Sequence, residues 1–383
     1  MSEIHVGYCT NVHAGTTLEQ IRANLEKYSV PVKQMVCPDT AMGIGLWFSA
    51  EAACEMAAPE IADEFRDWLA AHGLFPFTFN AFPYSDFHQP IVKHRVYEPT
   101  WAEASRLEYT LAIAKLQSNL LPQGGYGTIS TLPLGWPSKL GDGFLEACSE
   151  NLIRCATELN RLHGKTGRRI FLCIEPEPGC ILDTSDDLVK YFESHLLRSG
   201  NEELIRSYIG VCHDVCHSAV MFEPQDVALA NYAKHGIHIG KFQISSAIKI
   251  DFDKRDIDGK KTLLKSLSSF AEDRYLHQTM IRRNGDLRLF EDLPAAIASC
   301  GGAPDGEWRV HFHVPIFADK VAELSTTRDE ISSCISHIPT AELPVHFEIE
   351  TYAWSVLPEA VGPESLESSI VKELNHFGQL ILD

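Results

Sequence analysis

The chain has 383 residues, of which 45% are hydrophobic and 22% charged, and its formal net charge is −19 at pH 7. This composition is typical of a globular protein with a substantial core, and the acidic balance opposes nucleic-acid binding, because phosphate contacts need a concentrated basic surface. No apolar run reaches the roughly 18 residues that a membrane-spanning helix requires, so no transmembrane segment is predicted. The eleven cysteines are scattered and often lie inside apolar runs, which predicts reduced thiols and a cytoplasmic location.

Short apolar runs alternate with helical stretches along the chain, a pattern typical of βα units. We therefore predict an α/β fold, a (β/α)8 TIM barrel formed by residues 1–383 as a single domain. Nine segments qualify as strands for the eight places in the ring, so one of them is misassigned or lies outside it. In chain order they are 4–9, 43–48, 75–82, 127–133, 170–174, 209–214, 236–243, 308–314 and 344–350.

Two helix starts and one hairpin have clear local signals. A hydroxyl cap at Thr16-Thr17, followed by Glu19 and Gln20, predicts a helix start, and Ser49 is expected to cap one long helix that ends near Gly73. Asn284-Gly285 stands between two alternating runs, which is the strongest short-range signal for a tight turn. We interpret residues 274–293 as a β-hairpin inserted over the barrel mouth; a plain surface hairpin is the alternative.

Polar side chains recur where the predicted strands end, which is the edge at which α/β barrels keep their chemistry. Glu175 follows the buried run 170–174, and Pro176 then turns the chain out of the sheet. Later strands end in a carboxylate, an amide or an imidazole: Asp214 with His217 three residues on, Gln243, His313, and Glu348 or Glu350.

This set of side chains predicts a metal site. Oxygen-rich ligands with one or two nitrogens suit one divalent ion such as Mn²⁺, Zn²⁺, Mg²⁺ or Co²⁺. Several buried carboxylates need such an ion, because unpaired buried charges are unfavourable. A hydrogen-bonded network without metal is the alternative. The sequence contains no Gly-x-Ser-x-Gly elbow, Walker loop or Gly-x-Gly-x-x-Gly fingerprint.

At these residues the chain resembles the xylose-isomerase-like TIM barrels, the sugar-phosphate isomerase/epimerase superfamily. The ketose epimerases of that superfamily bind one divalent metal through Glu, Asp, His and Glu on successive late strands. The resemblance implies the metal ligands Glu175, Asp214, Gln243 in the place of the family's histidine, His313 as a replacement imidazole, and Glu350 with Glu348 as its competitor.

Seven segments resemble one branch of that superfamily more closely. The segments are 8–13, 82–84, 96–101, 130–135, 175–179, 311–315 and 348–354. The branch that they resemble is EboE, the metabolite-traffic proteins encoded in Ebo operons. The resemblance implies a barrel protein that processes or moves a small metabolite, with other Ebo-operon proteins and a second copy of the chain as further candidate partners.

Our leading hypothesis is a metal-dependent isomerase or epimerase that acts on a small polyhydroxylated or carbonyl-bearing metabolite. The metal would hold two substrate oxygens while a proton leaves the adjacent carbon. Glu175 and Glu350 are candidate bases, and His217 is the third catalytic candidate. The candidates for substrate binding are His13, Asn80, His88, His277 and Glu348.

Two other functions remain open from the sequence. The first is a non-catalytic metabolite-binding protein on the same barrel, which Gln243 in place of a histidine favours. The second is a metal-dependent abasic-site nuclease, which uses similar ligands but which the acidic charge opposes.

Overall fold

The computed structural model describes residues 3–139, 141–340, 342–357 and 365–382. The strands, in chain order, are β1 (Ile4–Tyr8), β2 (Met42–Leu46), β3 (Leu74–Asn80), β4 (Tyr126–Thr131), β5 (Arg169–Ile174), β6 (Ile209–Asp214), β7 (Ile239–Ile244), β8 (Ile248–Asp251), β9 (Thr279–Arg283), β10 (Asp286–Phe290), β11 (Glu307–Val310), β12 (Lys320–Val321), β13 (Leu324–Thr326) and β14 (Val345–Ile349).

The α-helices occupy most of the connections between these strands. They are α1 (Leu18–Asn24), α2 (Val30–Val36), α3 (Ala50–Glu55), α4 (Pro59–Ala71), α5 (Ala104–Leu120), α6 (Phe144–Thr166), α7 (Ser185–Tyr191), α8 (Glu202–Tyr208), α9 (Val215–Val220), α10 (Gln225–Lys234), α11 (Ile257–Ser268), α12 (Leu293–Ser299), α13 (Asp329–Ser336) and α14 (Leu366–Leu380). Within the described residues, none of them is both long and apolar enough to cross a membrane.

Eight strands form the barrel, and all of their pairings are parallel. Their order in the sheet is β1-β14-β7-β6-β5-β4-β3-β2, and a parallel bridge between Cys9 and Gly45 links the two ends. The sheet is therefore a nearly closed barrel, and the predicted TIM-barrel fold is confirmed. β5 shows why these strands form: residues 170–174 are all buried, as expected for a parallel strand between helices and a filled interior.

The surplus strand candidate, residues 308–314, lies outside the ring. Its strand, β11, belongs to a second sheet that is antiparallel throughout, with the order β10-β9-β11-β8-β13-β12. The predicted hairpin is confirmed as β9 and β10, joined by Asn284 and Gly285 with φ of 51° and 92°. It is one part of a larger insertion, residues 248–326, between β7 and β14.

Helix starts follow the local chemistry, with one correction. Thr17 and Gln20 form the predicted capping box at α1, and the Ser49 side chain accepts a hydrogen bond from Ala52 N at α3. The single long helix predicted after Ser49 is instead two helices, because α3 stops after Glu55 and Pro59 begins α4. Proline has no amide hydrogen, so it suits a first turn and not a helix interior.

A second hydrophobic core holds the insertion over the barrel mouth. Phe87 and Tyr352, from loops that follow barrel strands, pack in one cluster with Ile248 and Trp308 of the insertion. Burial of a side chain such as Phe87 contributes roughly 1.5–3 kcal/mol. The insertion therefore covers the carboxyl ends of the barrel strands.

Candidate metal centre

Three carboxylates meet at the carboxyl ends of the barrel strands. Glu175 directly follows β5, Asp214 is the last residue of β6, and Glu350 directly follows β14. Parallel strands present these ends at one edge of the barrel, and one oxygen of each carboxylate lies within 4.8 Å of the other two. All three are buried, with exposures of 2%, 2% and 5%. The structure thus brings together three of the predicted ligands.

Glu175 is held by its backbone while one oxygen of its side chain stays unpaired. Its amide donates to Thr131 O of the neighbouring strand at 3.0 Å. Its Oε2 has no hydrogen-bond partner in the described part of the chain. Burial, followed by the charges of Glu350 and Asp214, raises the pKa of Glu175 well above its usual value. The carboxyl group therefore lacks the counter-charge that burial demands.

Asp214 joins the barrel to the next helix and also retains an unpaired oxygen. Its Oδ1 caps α9 by accepting from His217 N at 2.8 Å, and it accepts from Ser245 Oγ at 2.8 Å. Its Oδ2 has no partner among the described residues. Burial raises the pKa of Asp214, although nearby His313 and the bond from His217 act in the opposite direction.

Glu350 is oriented by two amides. Its Oε1 accepts from Asn11 Nδ2 at 2.7 Å and from Asn80 Nδ2 at 2.8 Å. Burial, followed by the charges of Asp214 and Glu348, raises the pKa of Glu350 to about 8. Asn80 is one of the predicted substrate-binding residues, and here its amide group fixes a carboxylate.

Gln243 completes a set that fits a divalent cation. It pairs in register with Asp214 on one side and Glu348 on the other. Both of its side-chain polar atoms are buried without a partner among the described residues. A buried amide left unpaired beside unpaired carboxylate oxygens is unfavourable. An ion coordinated by oxygen atoms could take Gln243 Oε1, Glu175 Oε2 and Asp214 Oδ2 as ligands, which is the donor type that hard divalent ions prefer.

Three histidines lie beside the carboxylates. His217 Nε2 is 3.2 Å from His311 Nε2, which is also 3.2 Å from His313 Nε2. Burial lowers the pKa of His217 to about 3 and that of His313 to about 4, so both rings are neutral at pH 7. His217 and His313 are predicted site residues. His311 is absent from the predicted set, although its alternation with His313 in the sequence was a usable signal.

The other predicted residues support the site or lie apart from it. Glu348 points into the barrel interior, where Lys241 Nζ lies 2.7 Å from its Oε2. His277 contacts His311 O at 3.1 Å and Glu272 Oε1 at 2.9 Å. Neither Glu348 nor His277 lines the central cavity.

His13 and His88 also lie outside the lining of that cavity. The ring of His13 stacks on Tyr28 with centroids 4.5 Å apart, and its Nε2 lies 3.0 Å from Tyr8 OH. His88 Nε2 contacts Asn11 O at 2.7 Å, so His88 braces the residue that orients Glu350. The substrate-binding roles of His13 and His88 stay predictions.

A cavity lies above these groups. Its floor carries the polar groups Glu175, Glu350, His217, His311 and His313. Its walls are largely aliphatic or aromatic and include Phe82, Phe87, Val92, Val96, Tyr97, Tyr275, Leu276 and Tyr352. Apolar walls around a few converging polar groups are typical of small-molecule sites.

Comparison with known proteins identifies the fold. A xylose isomerase-like TIM barrel protein from Mycobacterium smegmatis in complex with magnesium is 10% identical, with a TM-score of 0.54 over 100% of this chain and 97% of that one. The IOLI protein with a bound zinc atom is 11% identical, with a TM-score of 0.51 over 99% and 98%. D-psicose 3-epimerase in the presence of D-fructose is 12% identical, with a TM-score of 0.50 over 99% and 99%.

Identities this low show the fold alone, and the chain therefore has a xylose isomerase-like TIM-barrel fold, as the sequence predicted. No protein-family model matches the chain, and no curated protein matches it.

Several residues of the site were missed from the sequence. Asn11, in a short 3-10 helix after β1, bonds to Glu350, and Ser245, in the loop after β7, bonds to Asp214. Glu177 accepts from Tyr97 OH at 2.7 Å, and burial raises its pKa to about 7. Its position two residues after Glu175 was a signal, because both precede prolines at the same strand end.

Proposed function

We propose that the protein is a divalent-metal-dependent isomerase or epimerase that exchanges a proton on a carbon next to a carbonyl group of a small metabolite. The observation that carries this proposal is the convergence of Glu175, Asp214 and Glu350, of which Glu175 and Glu350 line one cavity, with buried oxygens left unpaired on Glu175 and Asp214. The bound ion would polarise the substrate carbonyl. Mn²⁺, Zn²⁺, Mg²⁺ and Co²⁺ are the candidate ions.

The carboxylates of the lining are the candidate proton carriers. Glu175 and Glu350 both line the cavity, so either can reach a carbon atom of a substrate bound there. Glu350 is pinned by Asn11 and Asn80, whereas Glu175 Oε2 is unpaired. We assign the proton transfer to Glu175 first and a positioning and ligating role to Glu350. His217 would hold a substrate oxygen.

The side chains of the cavity walls indicate which class of metabolite fits. Lys93, the cationic side chain of the lining, lies with its Nζ 2.5 Å from Asp292 Oδ2, so a substrate phosphate would have to displace that carboxylate. The hydroxyl of Tyr275 donates to Phe87 O at 3.1 Å. These contacts favour an unphosphorylated metabolite whose oxygens are grouped at one end and face the floor.

Proton exchange with solvent tests the proposal directly. The protein, loaded with Mn²⁺ or Zn²⁺ and incubated in D₂O with free ketoses and other α-hydroxy ketones, should place deuterium on the carbon next to the carbonyl. Glu175→Gln should abolish the exchange, and Glu108→Gln, at an exposed helix position, should leave it unchanged. Absence of exchange with every compound that binds would refute the enzyme hypothesis.

A non-catalytic metabolite-binding protein is the second candidate, and Gln243 favours it. A neutral amide oxygen is a weaker ligand than the imidazole it replaces in the resembled epimerases. This candidate predicts the same binding of metal and ligand without any exchange of deuterium, so the D₂O experiment separates the two.

The proposed pathway, cellular location and partner proteins rest on sequence resemblance. We propose an Ebo-type pathway that processes or moves the metabolite in the cytoplasm, with other Ebo-operon proteins as partners. Co-purification with those proteins would test this. The nuclease hypothesis has only its ligand types in support, and failure to bind duplex DNA at any salt concentration would remove it.

A further inference from the structure

The walls of the cavity differ in character from its floor, because they consist mainly of aliphatic and aromatic side chains. Phe82, Val92 and Val96 come from the segment between β3 and α5, whereas Tyr275 and Leu276 come from the insertion. All of these except Val96 are buried in the absence of a ligand. Two segments that are distant in the chain thus build an apolar wall opposite a floor of carboxylates and imidazoles.

The cation of the walls is already neutralised within the protein. Lys93 Nζ lies 2.5 Å from Asp292 Oδ2 and donates to Tyr275 O at 3.4 Å. The hydroxyl of Tyr275 donates to Phe87 O at 3.1 Å. A ligand hydroxyl or phosphate that bound to these donors would have to break a bond that the chain already makes.

The hydroxyl of Tyr97 is bonded in both directions. It donates to Glu177 Oε1 at 2.7 Å and accepts from Gln278 Nε2 at 2.9 Å. Gln278 Nε2 also donates to Glu177 Oε1 at 3.0 Å, so that oxygen accepts two bonds. A sugar hydroxyl placed against these walls would lose its bonds to water and find few new partners, which is unfavourable. An apolar group in the same place would lose nothing.

Three aromatic rings of the lining stand together. Phe87 lies 4.9 Å from Tyr275 and 5.2 Å from Tyr352, measured between ring centroids, and Tyr275 lies 5.0 Å from Tyr352. The ring of Tyr352 is also 4.7 Å from that of His313, which belongs to the floor. Aromatic rings attract further rings in offset and edge-to-face arrangements. This group of rings therefore suits an aromatic group that is attached close to the oxygens bound at the floor.

We propose that the substrate is an aryl-substituted hydroxy ketone and not a free sugar. Its aromatic ring would pack against Phe87, Tyr275 and Tyr352, while its carbonyl and hydroxyl oxygens face the floor. The inference rests on the proposed function for the reaction and adds to it the class of substrate.

Three α-hydroxy ketones that differ in one substituent test the proposal. They are 3-hydroxybutan-2-one, 3,4-dihydroxybutan-2-one and 3-hydroxy-4-phenylbutan-2-one, which carry hydrogen, hydroxyl and phenyl on carbon 4. Isothermal titration calorimetry measures their binding to the full-length chain loaded with Mn²⁺, and NMR in D₂O measures deuterium exchange at carbon 3. We expect the phenyl compound to bind at least about tenfold more tightly than the other two and to exchange fastest.

A variant of the wall shows where the phenyl group binds. Leu276→Gln places a polar amide in the wall, so it should bring the ratio of affinities for the phenyl compound and 3-hydroxybutan-2-one close to one. The matched control is Leu287→Gln, at a position of β10 in the same insertion that is 50% exposed, and it should keep the wild-type ratio. The ratio compares two ligands in one sample, so a smaller folded fraction does not change it.

Binding and exchange together separate this inference from the proposed function. A preference for the phenyl compound that Leu276→Gln abolishes, without deuterium exchange in any of the three ketones, would support the aromatic site and refute the isomerase. Exchange in the three ketones with equal or weaker binding of the phenyl compound would overturn the aromatic site and leave the proposed function in place. A preference that survives unchanged in Leu276→Gln would also overturn the aromatic site.

Discussion

Buried carboxylates lie in the interior and at the mouth of this barrel, and only the interior carboxylate has a counter-charge supplied by the chain. In the interior, Glu348 and Lys241 form an ion pair of 2.7 Å, and both side chains are fully buried. At the mouth, Glu175, Asp214 and Glu350 form no ion pair with a lysine or arginine among the residues that the structure describes. The chain thus neutralises the interior charge itself and leaves the charge at the mouth to a ligand.

The interior pair is tightly fitted to its surroundings. Lys241 Nζ also donates to Ser130 Oγ at 3.1 Å. A Cβ atom at position 45 would overlap Glu348 Oε1, so any residue larger than glycine there would displace the Glu348 carboxylate. Buried pairs of this kind add little net stability, but loss of one partner leaves an uncompensated charge. The comparison therefore predicts that removing a charge from the interior pair lowers the free energy of unfolding, whereas removing one at the mouth raises it in the metal-free protein.

The largest expected effect comes from breaking the interior pair. Lys241→Met should lower the free energy of unfolding by about 3–5 kcal/mol, because Glu348 would remain buried without a cation. Urea unfolding followed by far-UV circular dichroism measures this. The double variant Lys241→Met/Glu348→Gln should recover most of the loss. A cost below about 1 kcal/mol for the single variant would contradict the role of the pair.

Adding metal should supply the counter-charge that the mouth lacks. Mn²⁺, which prefers oxygen ligands, should raise the free energy of unfolding by about 2.7 kcal/mol at one hundred times its dissociation constant. Thermal unfolding with and without Mn²⁺ measures the effect. The Glu175→Gln/Glu350→Gln variant should show no such shift, and an equal shift in that variant would place the ion elsewhere.

Removing one charge at the mouth should stabilise the metal-free protein. Glu175→Gln keeps the shape of the side chain and relieves repulsion by Asp214 and Glu350, with an expected gain on the order of 1–2 kcal/mol. Chelator-treated protein and urea unfolding provide the measurement. Glu108→Gln, at an exposed position of α5, should change stability by less than about 0.5 kcal/mol. A destabilised Glu175→Gln would mean that the carboxylates are already compensated.

The smallest effect on stability is expected at Glu307, a half-buried carboxylate that is paired with two arginines. Glu307 accepts from Arg309 Nε at 2.9 Å and from Arg282 Nη2 at 2.6 Å. Burial raises the pKa of Glu307, but the bonds and charges of Arg309 and Arg282 outweigh burial and lower the pKa below 4.5. The stabilisation is therefore present above the unfolded pKa and is lost as the pH falls through the folded one.

Glu307→Gln should lower the free energy of unfolding by up to about 1 kcal/mol at neutral pH and leave it unchanged in acid, below the folded pKa of Glu307. Unfolding curves at neutral and acidic pH, compared with the wild type, measure this. An equal loss at both pH values would show that packing, and not charge, explains the effect.

The convergence of the carboxylates was predictable because it depends on local rules. An apolar run that ends at Glu175 before a proline predicts the end of a buried strand, and parallel strands bring such ends to one edge. The pattern Asp-x-x-His predicts that Asp214 ends a strand and that His217 lies in the following turn. The roles of these residues as ligands and bases stay predictions.

The choice between Glu348 and Glu350 was not predictable. Strand periodicity puts both residues on the same face of β14. Glu348 pairs with Lys241 in the interior because β7 and β14 are neighbours in the sheet, and the sequence does not show that they are. The extent of the insertion was missed for a similar reason, since β8 pairs with β11 and β13, which lie far along the chain.

The sequence by itself determined the barrel, the hairpin at Asn284-Gly285 and the strand ends that carry acidic groups, because periodicity of two, turn residues and prolines act over a few positions. Only the tertiary structure decided which charges are neutralised, which oxygens are left unpaired and that His311 and His313 meet His217. Those outcomes depend on contacts between segments that are distant in the chain, and local patterns carry no information about which distant group will be the partner.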